Sequence, residues 1–468
     1  MTDIKKEIVL LLCSCDKSLP LNFRSISKSM MDKGVVNAIT SNSLCNIDGL
    51  SEIHYRLRKN PDHLIIAGCS NKTLFDDILR YSHFPKENLS LVDIREMSGW
   101  VHKDKSEATE KAKRLIFKEM MNVENRRDFE PGEDLKEIVV VLGLRRVEDL
   151  VIFGRVESCP GYRFDSCSIC IDSCPHGAIS SGLSIDPELC NGCEICISVC
   201  PLGLLTSKNQ GNIERNIKSM LTSFVKKKPF SSKRLIGMPI ILFVCDNLAK
   251  ITLDRIGLKK LNYPADILPV PVSCLSQINL NHILMSFVLG SQGILLCGCD
   301  PCEKGSKEYI VNLERTFKSV FEKTCLEERL SVFRSTSRDS NKLHEHMINF
   351  FEKINSMDRL NITRVGEFLG NKREDLLLML KSVLKDGDLR GDLLPFGFIK
   401  IDEETCDLCG DCTRACLTNA LKIEDGKLIF DHGFCIGCGA CVKKCPNSSI
   451  ELEKVIKVSK LFVTDIVK

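Results

Sequence analysis

Between residues 406 and 446 the chain sets out eight cysteines in two runs, Cys406-x2-Cys409-x2-Cys412-x3-Cys416 and Cys435-x2-Cys438-x2-Cys441-x3-Cys445-Pro446. Three thiolates on one short loop reach three corners of a cubane iron–sulfur cluster, and the fourth corner needs a residue from elsewhere. In the two-cluster pattern the last Cys of each run serves the other cluster. The spacing therefore assigns Cys406, Cys409, Cys412 and Cys445 to one 4Fe–4S cluster and Cys435, Cys438, Cys441 and Cys416 to its partner. A zinc ribbon uses two Cys-x2-Cys pairs and leaves the third Cys of each run unexplained. A disulfide scaffold belongs to small secreted chains, and the opening Met1-Thr2-Asp3-Ile4-Lys5-Lys6 does not read as a signal peptide.

Residues 157–207 hold an imperfect copy of this pattern. Its second run, Cys190-x2-Cys193-x2-Cys196-x3-Cys200-Pro201, is complete. The first reads Cys167-x2-Cys170-x3-Cys174-Pro175, with Phe164 where its opening Cys is due. The crossover rule groups Cys190, Cys193, Cys196 and Cys174, and leaves Cys167, Cys170 and Cys200 one ligand short. Cys159 is the expected replacement. The alternative is a loop thiol beside a three-iron or empty site. The 406–446 segment resembles a bacterial-type ferredoxin, and Leu417 in place of the usual Pro touches no ligand.

The whole chain sets bounds on these sites. With 468 residues it has room for about three or four domains. No apolar run approaches the ~18 residues of a membrane span. Its 26 cysteines point to a reducing compartment, so the expected location is cytoplasmic. The formal charge of +3 counts every Cys as neutral. Each 4Fe–4S site adds about −2, and four would bring the loaded protein to roughly −5. That balance leaves no basic footprint for nucleic acid.

The elements that must position the sites read as multidomain α/β plus α+β. Residues 1–125 alternate apolar runs at Glu7–Cys13, His63–Cys69 and Leu89–Asp93 with helical stretches, the clearest from Lys105 to Met121. Cys13 and Cys15 close the first run, Cys69 closes the second, and Cys45 sits in a polar loop between them. Ligand sites form beyond the carboxyl ends of parallel strands. Spacing alone leaves open whether these thiols form a site or are small buried residues. Cys13-Ser14-Cys15, Ala67-Gly68-Cys69, Asp93-Ile94-Arg95-Glu96, Trp100-Val101-His102 and Glu107–Ala112 resemble the N-terminal domain of the heterodisulfide reductase flavoprotein, the iron–sulfur A component of that enzyme in anaerobes. Ser98 departs from the Cys common there. The flavin domain of that family opens on Gly-x-Gly-x-x-Gly, which is absent here, so no flavin is expected.

A polar linker and one strand, Ile138–Leu142, span 126–156. After the first cluster module, 208–234 reads as a surface helix from Asn209 to Lys228 ending at Pro229. Residues 235–355 form a second α/β unit with strands Pro239–Cys245, Ile267–Val272, Gly293–Cys297 and Leu330–Arg334. Its helices are expected at Ile278–Leu289, Gly305–Lys323 and Ser340–Ile354. Cys245, Cys274, Cys297, Cys299 and Cys302 gather at the strand ends, with Cys299-Asp300-Pro301-Cys302 in a turn. Phe243-Val244-Cys245, Val272-Ser273-Cys274 and Gly293–Pro301 resemble the delta subunit of methyl-viologen-reducing hydrogenase. That resemblance implies a 2Fe–2S cluster and delivery of electrons to heterodisulfide reductase. Leu248 and Lys304 stand where the family has Cys, and Cys302 compensates in a four-thiolate set with Cys245, Cys274 and Cys299.

Residues 356–395 resemble a small winged helix, with helices Ile362–Leu369 and Lys372–Lys385 and a turn at 386–391. The second helix mixes signs, so a packing role is expected over a nucleic-acid reader. The second ferredoxin module covers 396–455 and a tail covers 456–468. His176 and His432 flank cluster loops and read as solvated loop residues. No phosphate loop and no Ser/His/Asp set occurs. The expected function is a non-catalytic electron-transfer subunit with three to four 4Fe–4S clusters, working between hydrogenase- or dehydrogenase-like and heterodisulfide reductase-like subunits. The alternatives are a redox-sensing regulator and a catalytic component of a heterodisulfide reductase-like oxidoreductase.

Overall fold

The computed structural model describes residues 7–70, 84–124, 136–141, 150–207, 211–225, 237–362 except 323, 368–384 except 369, 388–389, 394, and 396–468 except 454 and 455. Most of the expected linker from Arg126, the Lys226–Pro229 stretch, most of the expected helix Ile362–Leu369 and most of the 386–391 turn lie outside them.

Two parallel sheets share one topology. In the first, Asn37–Ser41, Ile8–Cys13, His63–Gly68 and Leu89–Asp93 lie side by side in that order, all parallel. Ile8–Cys13 is buried along its whole length, as a strand covered on both faces must be. Its side chains alternate between two cores, Ile8, Leu10 and Leu12 on one face and Val9, Leu11 and Cys13 on the other. In the second sheet, Leu330–Ser335, Gly293–Cys299, Ile240–Cys245 and Ile267–Val272 adjoin in that order, again all parallel. The first sheet runs second, first, third, fourth strand, and the second sheet runs fourth, third, first, second. Read from the opposite edge, the two orders are the same. The order reverses between the first and third strands, and that crevice is where such sheets hold ligands.

The second sheet matches expectation closely, with two differences. A helix at Leu248–Leu258 is additional, and Cys299 ends the third strand instead of lying in the turn. The cluster modules bring short antiparallel pairs, Phe398–Ile401 with Ile450–Glu453 and Leu421–Glu424 with Lys427–Asp431. Lys136–Val141, Leu150–Gly154 and Leu205–Ser207 make a third small sheet beside the first module.

The helix Gly211–Val225 corrects the surface-helix reading. Ile213, Ile217, Met220 and Leu221 recur at helical spacing and are all buried, in one core with residues of both α/β units. Asn122 Nδ2 donates to Asn216 Oδ1 at 2.7 Å, fixing it to the helix Lys105–Glu124. Of the winged-helix reading, the described residues include the second helix, Lys372–Val383, capped by the Asn371 side chain.

The two α/β units meet tightly at Gly257. A Cβ there would stand 2.5 Å from the Glu96 carbonyl oxygen and 2.6 Å from Glu96 Cβ. Tyr263 N–H donates to the Val101 carbonyl across the same contact, at 3.4 Å. Gly257→Val should lower the unfolding free energy by about 1–3 kcal/mol through overpacking. Anaerobic denaturant titration measures this, and an unchanged midpoint would mean that the contact is not close-packed.

Candidate metal centres

In the C-terminal module, Cys406, Cys409, Cys412 and Cys445 line one partly open cavity. Cys416, Cys435, Cys438 and Cys441 line a second. Glycines at left-handed angles, Gly410 (φ 79°) and Gly439 (φ 75°), stand at the starts of the short helices Asp411–Ala415 and Ala440–Lys444. They turn each loop so that three sulfurs face inward. Burial pushes the Cys412 thiol up to about 11 and the Cys441 thiol up to about 12. As bare thiols they would hold their protons, so loading iron must displace them. Among the described residues no three His, Cys, Asp or Glu are placed to hold a single metal ion. The sulfurs surround cavities, an arrangement suited to a cluster.

The first module gathers two sets. Cys190, Cys193 and Cys196 neighbour one another, and Cys174 acts electrostatically on Cys190 and Cys193. Cys159, Cys167, Cys170 and Cys200 form the other set. Burial first, then Cys200, Cys167 and Cys159, push the Cys170 thiol up to about 12. Cys159 is buried. A Cβ on Gly161 would lie 3.6 Å from its sulfur and 2.5 Å from the Cys167 carbonyl oxygen, so the loop does fold back. Phe164 serves the contact between modules instead: Lys444 lies over its ring at 5.7 Å, and Lys443 Nζ donates to the Asp165 carbonyl at 2.9 Å.

In the second α/β unit Cys245, Cys274, Cys299 and Cys302 converge at the reversal of strand order. Hydrogen bonds from Cys245 and Cys302 push the Cys274 thiol far down, and the same bond from Cys274 pushes Cys245 far up. The Cys299 thiol falls to about 7, chiefly through its hydrogen bond with Cys245. Leu275 N–H also donates to Cys245 Sγ at 3.1 Å. Cys297 is fully buried within its strand, and burial raises its thiol. Lys304 reaches across to the first module, where Nζ donates to the Gly192 carbonyl at 3.2 Å.

The N-terminal unit repeats this plan more loosely. Cys13 and Cys15 sulfurs stand 3.8 Å apart, Arg95 Nη1 is 4.0 Å from Cys15 Sγ, and Cys69 acts electrostatically on Cys15. The Cys13 thiol falls to about 6, through its bond with Cys15 and a Leu44 N–H. Cys45 is exposed, its sulfur 3.2 Å from Ser43 Oγ. Ser98 is buried, its hydroxyl donating to the Ala108 carbonyl at 2.6 Å.

The sets adjoin. Cys274 acts electrostatically on Cys193, and Cys438 on Cys167. Ser198 Oγ donates to the Ser276 carbonyl at 2.6 Å and Ser276 Oγ to the Cys193 carbonyl, sealing the first of these junctions. His432 corrects the solvated-loop reading: it is 1% exposed, between Phe398 and Phe430, with Nε2 3.1 Å from Asp465 Oδ2. His176 Nε2 pairs with Asn191 Nδ2 at 2.6 Å. Sequence reasoning misses the junction residues because nothing in their types or spacing marks an interface.

Comparison with known proteins fits this arrangement. Residues 240–358 match the family model for methyl-viologen-reducing hydrogenase, delta subunit. Residues 398–449 match a 4Fe-4S dicluster domain, and 183–206 a 4Fe-4S binding domain. The chain is 24% identical over 142 residues to the A component of the ferredoxin:CoB-CoM heterodisulfide reductase of Methanosarcina acetivorans, covering 29% of this chain. It spans only 17% of that relative's length. The chain thus joins a region like the hydrogenase delta subunit to 4Fe–4S regions of ferredoxin type.

Proposed function

We propose that this chain is the iron–sulfur electron-transfer subunit of an oxidoreductase complex, and that it does no bond-making chemistry itself. The observation that carries the reading is the adjacency of the thiol sets. Cys245/Cys274/Cys299/Cys302 leads to Cys174/Cys190/Cys193/Cys196, where Cys274 acts electrostatically on Cys193 and Ser276 bonds the Cys193 carbonyl. The next set, Cys159/Cys167/Cys170/Cys200, lies in the same module, where Cys170 acts on Cys196. Cys438 of the Cys416/Cys435/Cys438/Cys441 set then acts electrostatically on Cys167. Cys406/Cys409/Cys412/Cys445 ends the series, with Cys409 exposed. Bound clusters supply one-electron chemistry, at potentials set by hydrogen bonds and burial. The protein's part is to hold each set with four thiolates and to keep neighbouring sets in contact.

The delta-like site holds four sulfurs, which suits the 2Fe–2S cluster its resemblance implies. The Cys13/Cys15/Cys69 group, with Cys45, is a further candidate site on the same fold. The domain limits proposed are those expected from the sequence. The partners proposed are hydrogenase- or dehydrogenase-like on one side and heterodisulfide reductase-like on the other, in the cytoplasm. Among the described residues no helix is long and apolar enough to cross a membrane. A nucleic-acid reader is disfavoured, because Arg373 of the suggested recognition helix is buried against a cluster module.

Cys412→Ser and Cys441→Ser should each abolish the paramagnetic signal of one cluster and leave the other, since a hydroxyl replaces a thiolate poorly. Full iron content in either variant would refute the ligand sets.

Cys159→Ala should convert its site from four-iron to three-iron, or empty it, while the set with Cys190 survives. An unchanged iron count and spectrum would show Cys159 to be a bystander.

Purified without oxygen, the protein should bring with it subunits of the hydrogenase and heterodisulfide reductase kinds. A lone chain that reduces a disulfide substrate unaided would favour the catalytic alternative.

A further inference from the structure

Lys372 and Arg373, adjacent at the start of the helix Lys372–Val383, serve different cluster modules. Lys372 Nζ donates to the carbonyls of Ile197 and Ser198, at 3.1 and 2.8 Å. These belong to the helix Ile195–Val199, which carries Cys196 and leads into Cys200. Carbonyls of a last helical turn have no partner within the helix, so the ammonium caps them. Arg373 is 2% exposed. Its Nε and Nη2 donate to the carbonyls of Gly433 and Cys435, both at 2.8 Å, where the second cysteine loop of the C-terminal module begins. Its guanidinium also lies over the Phe396 ring at 3.9 Å.

The helix start is itself fixed. Asn281 Nδ2 donates to the Lys372 carbonyl at 2.7 Å, tying it to the delta-like unit. The Asn371 side chain accepts from the Arg373 and Glu374 N–H groups. Space is tight on both sides: a Cβ on Gly203 would lie 3.3 Å from Lys372 Cβ, and one on Gly433 3.2 Å from a Leu377 methyl. Three bodies therefore meet at two residues.

Burying a cation forfeits hydration that neutral carbonyls return only in part. Cys200 acts electrostatically on Lys372 and Cys435 on Arg373, and Glu214 and Asp431 face the two cations as well. A thiolate-held cluster at each site adds negative charge that grows on reduction.

We infer that Lys372 and Arg373 form a paired clamp that positions the Cys159/Cys167/Cys170/Cys200 and Cys416/Cys435/Cys438/Cys441 sites against each other and favours the reduced state of both. The inference rests on the relay reading. Both are positioning residues: each acts through loop carbonyls and through charge.

The test is an anaerobic redox titration of the full chain, followed by low-temperature paramagnetic resonance, for Arg373→Met, Arg373→Lys and Lys372→Met. The Cys441→Ser and Cys159→Ala variants identify which signal belongs to which site. Arg373→Met should shift the Cys441 cluster about tenfold toward its oxidised form, a fall of about 59 mV for one electron. Lys372→Met should do the same to the Cys159 cluster. Both should leave the Cys406/Cys409/Cys412/Cys445 signal in place as an internal control. Arg373→Lys keeps the charge but loses the forked bond, so it should preserve the potential and change the spin–spin interaction between the two sites. Unchanged potentials in both Met variants at full iron content would overturn the clamp, as would an equal shift of every cluster. Should Arg373→Met lose iron, Lys372→Met and Arg373→Lys decide: no shift in the first and no change of interaction in the second overturns it. The relay reading fails separately, if the unaltered protein shows no interacting four-iron signals.

Discussion

A loop that supplies three sulfurs to a cubic cluster leaves one corner open, and the fourth sulfur must come from another part of the chain. Most of the architecture around the sites answers that need. Cys445 joins Cys406, Cys409 and Cys412 at one cavity, and Cys416 joins Cys435, Cys438 and Cys441 at the other, so neither half of the module can close its site alone. In the first module the proposed ligand set meets the same demand with Cys159, which a short helical turn, Pro160–Phe164, folds back toward Cys167. In the delta-like unit the sheet itself gathers the thiols, since its order of strands brings Cys245 and Cys299 to adjacent strand ends.

Positions where the expected cysteine is missing have become joints between bodies or walls of a site. Phe164 lies under Lys444 of the other module, and Lys304 reaches the Gly192 carbonyl. Leu248 opens the helix Leu248–Leu258, whose first N–H groups face the Cys299 sulfur. Each position lacks a thiol and supplies a contact in its place. A relay needs complete sites and close neighbours alike, since a complete site too far from the next passes nothing on.

How much of this the sequence reveals depends on the range of the forces involved. Ligand sets with fixed spacing are local, and Cys406 to Cys445 can be grouped without any tertiary information. Strands such as Ile267–Val272 are legible because a doubly covered strand must be continuously apolar. The helix Gly211–Val225 carries a regular apolar stripe, Ile213, Ile217, Met220 and Leu221, but only its neighbours decide that this face lies in a core shared by both α/β units. Lys372 and Arg373 stay hidden for a related reason. A helix start of mixed charge reads as a packing element, but what it packs on shows only once the carbonyls it caps are seen. Tertiary contacts between modules leave no periodic mark.

The central claim is that one chain holds several thiolate-bound clusters in mutual contact. Iron and acid-labile sulfide determined on the anaerobically purified protein, together with its low-temperature paramagnetic resonance during stepwise reduction, test it most directly. The expected result is roughly sixteen irons or more per chain, matched by sulfide, with signals that broaden and split as neighbouring sites fill. Zinc in place of iron, or sharp signals that never interact at full reduction, would contradict it.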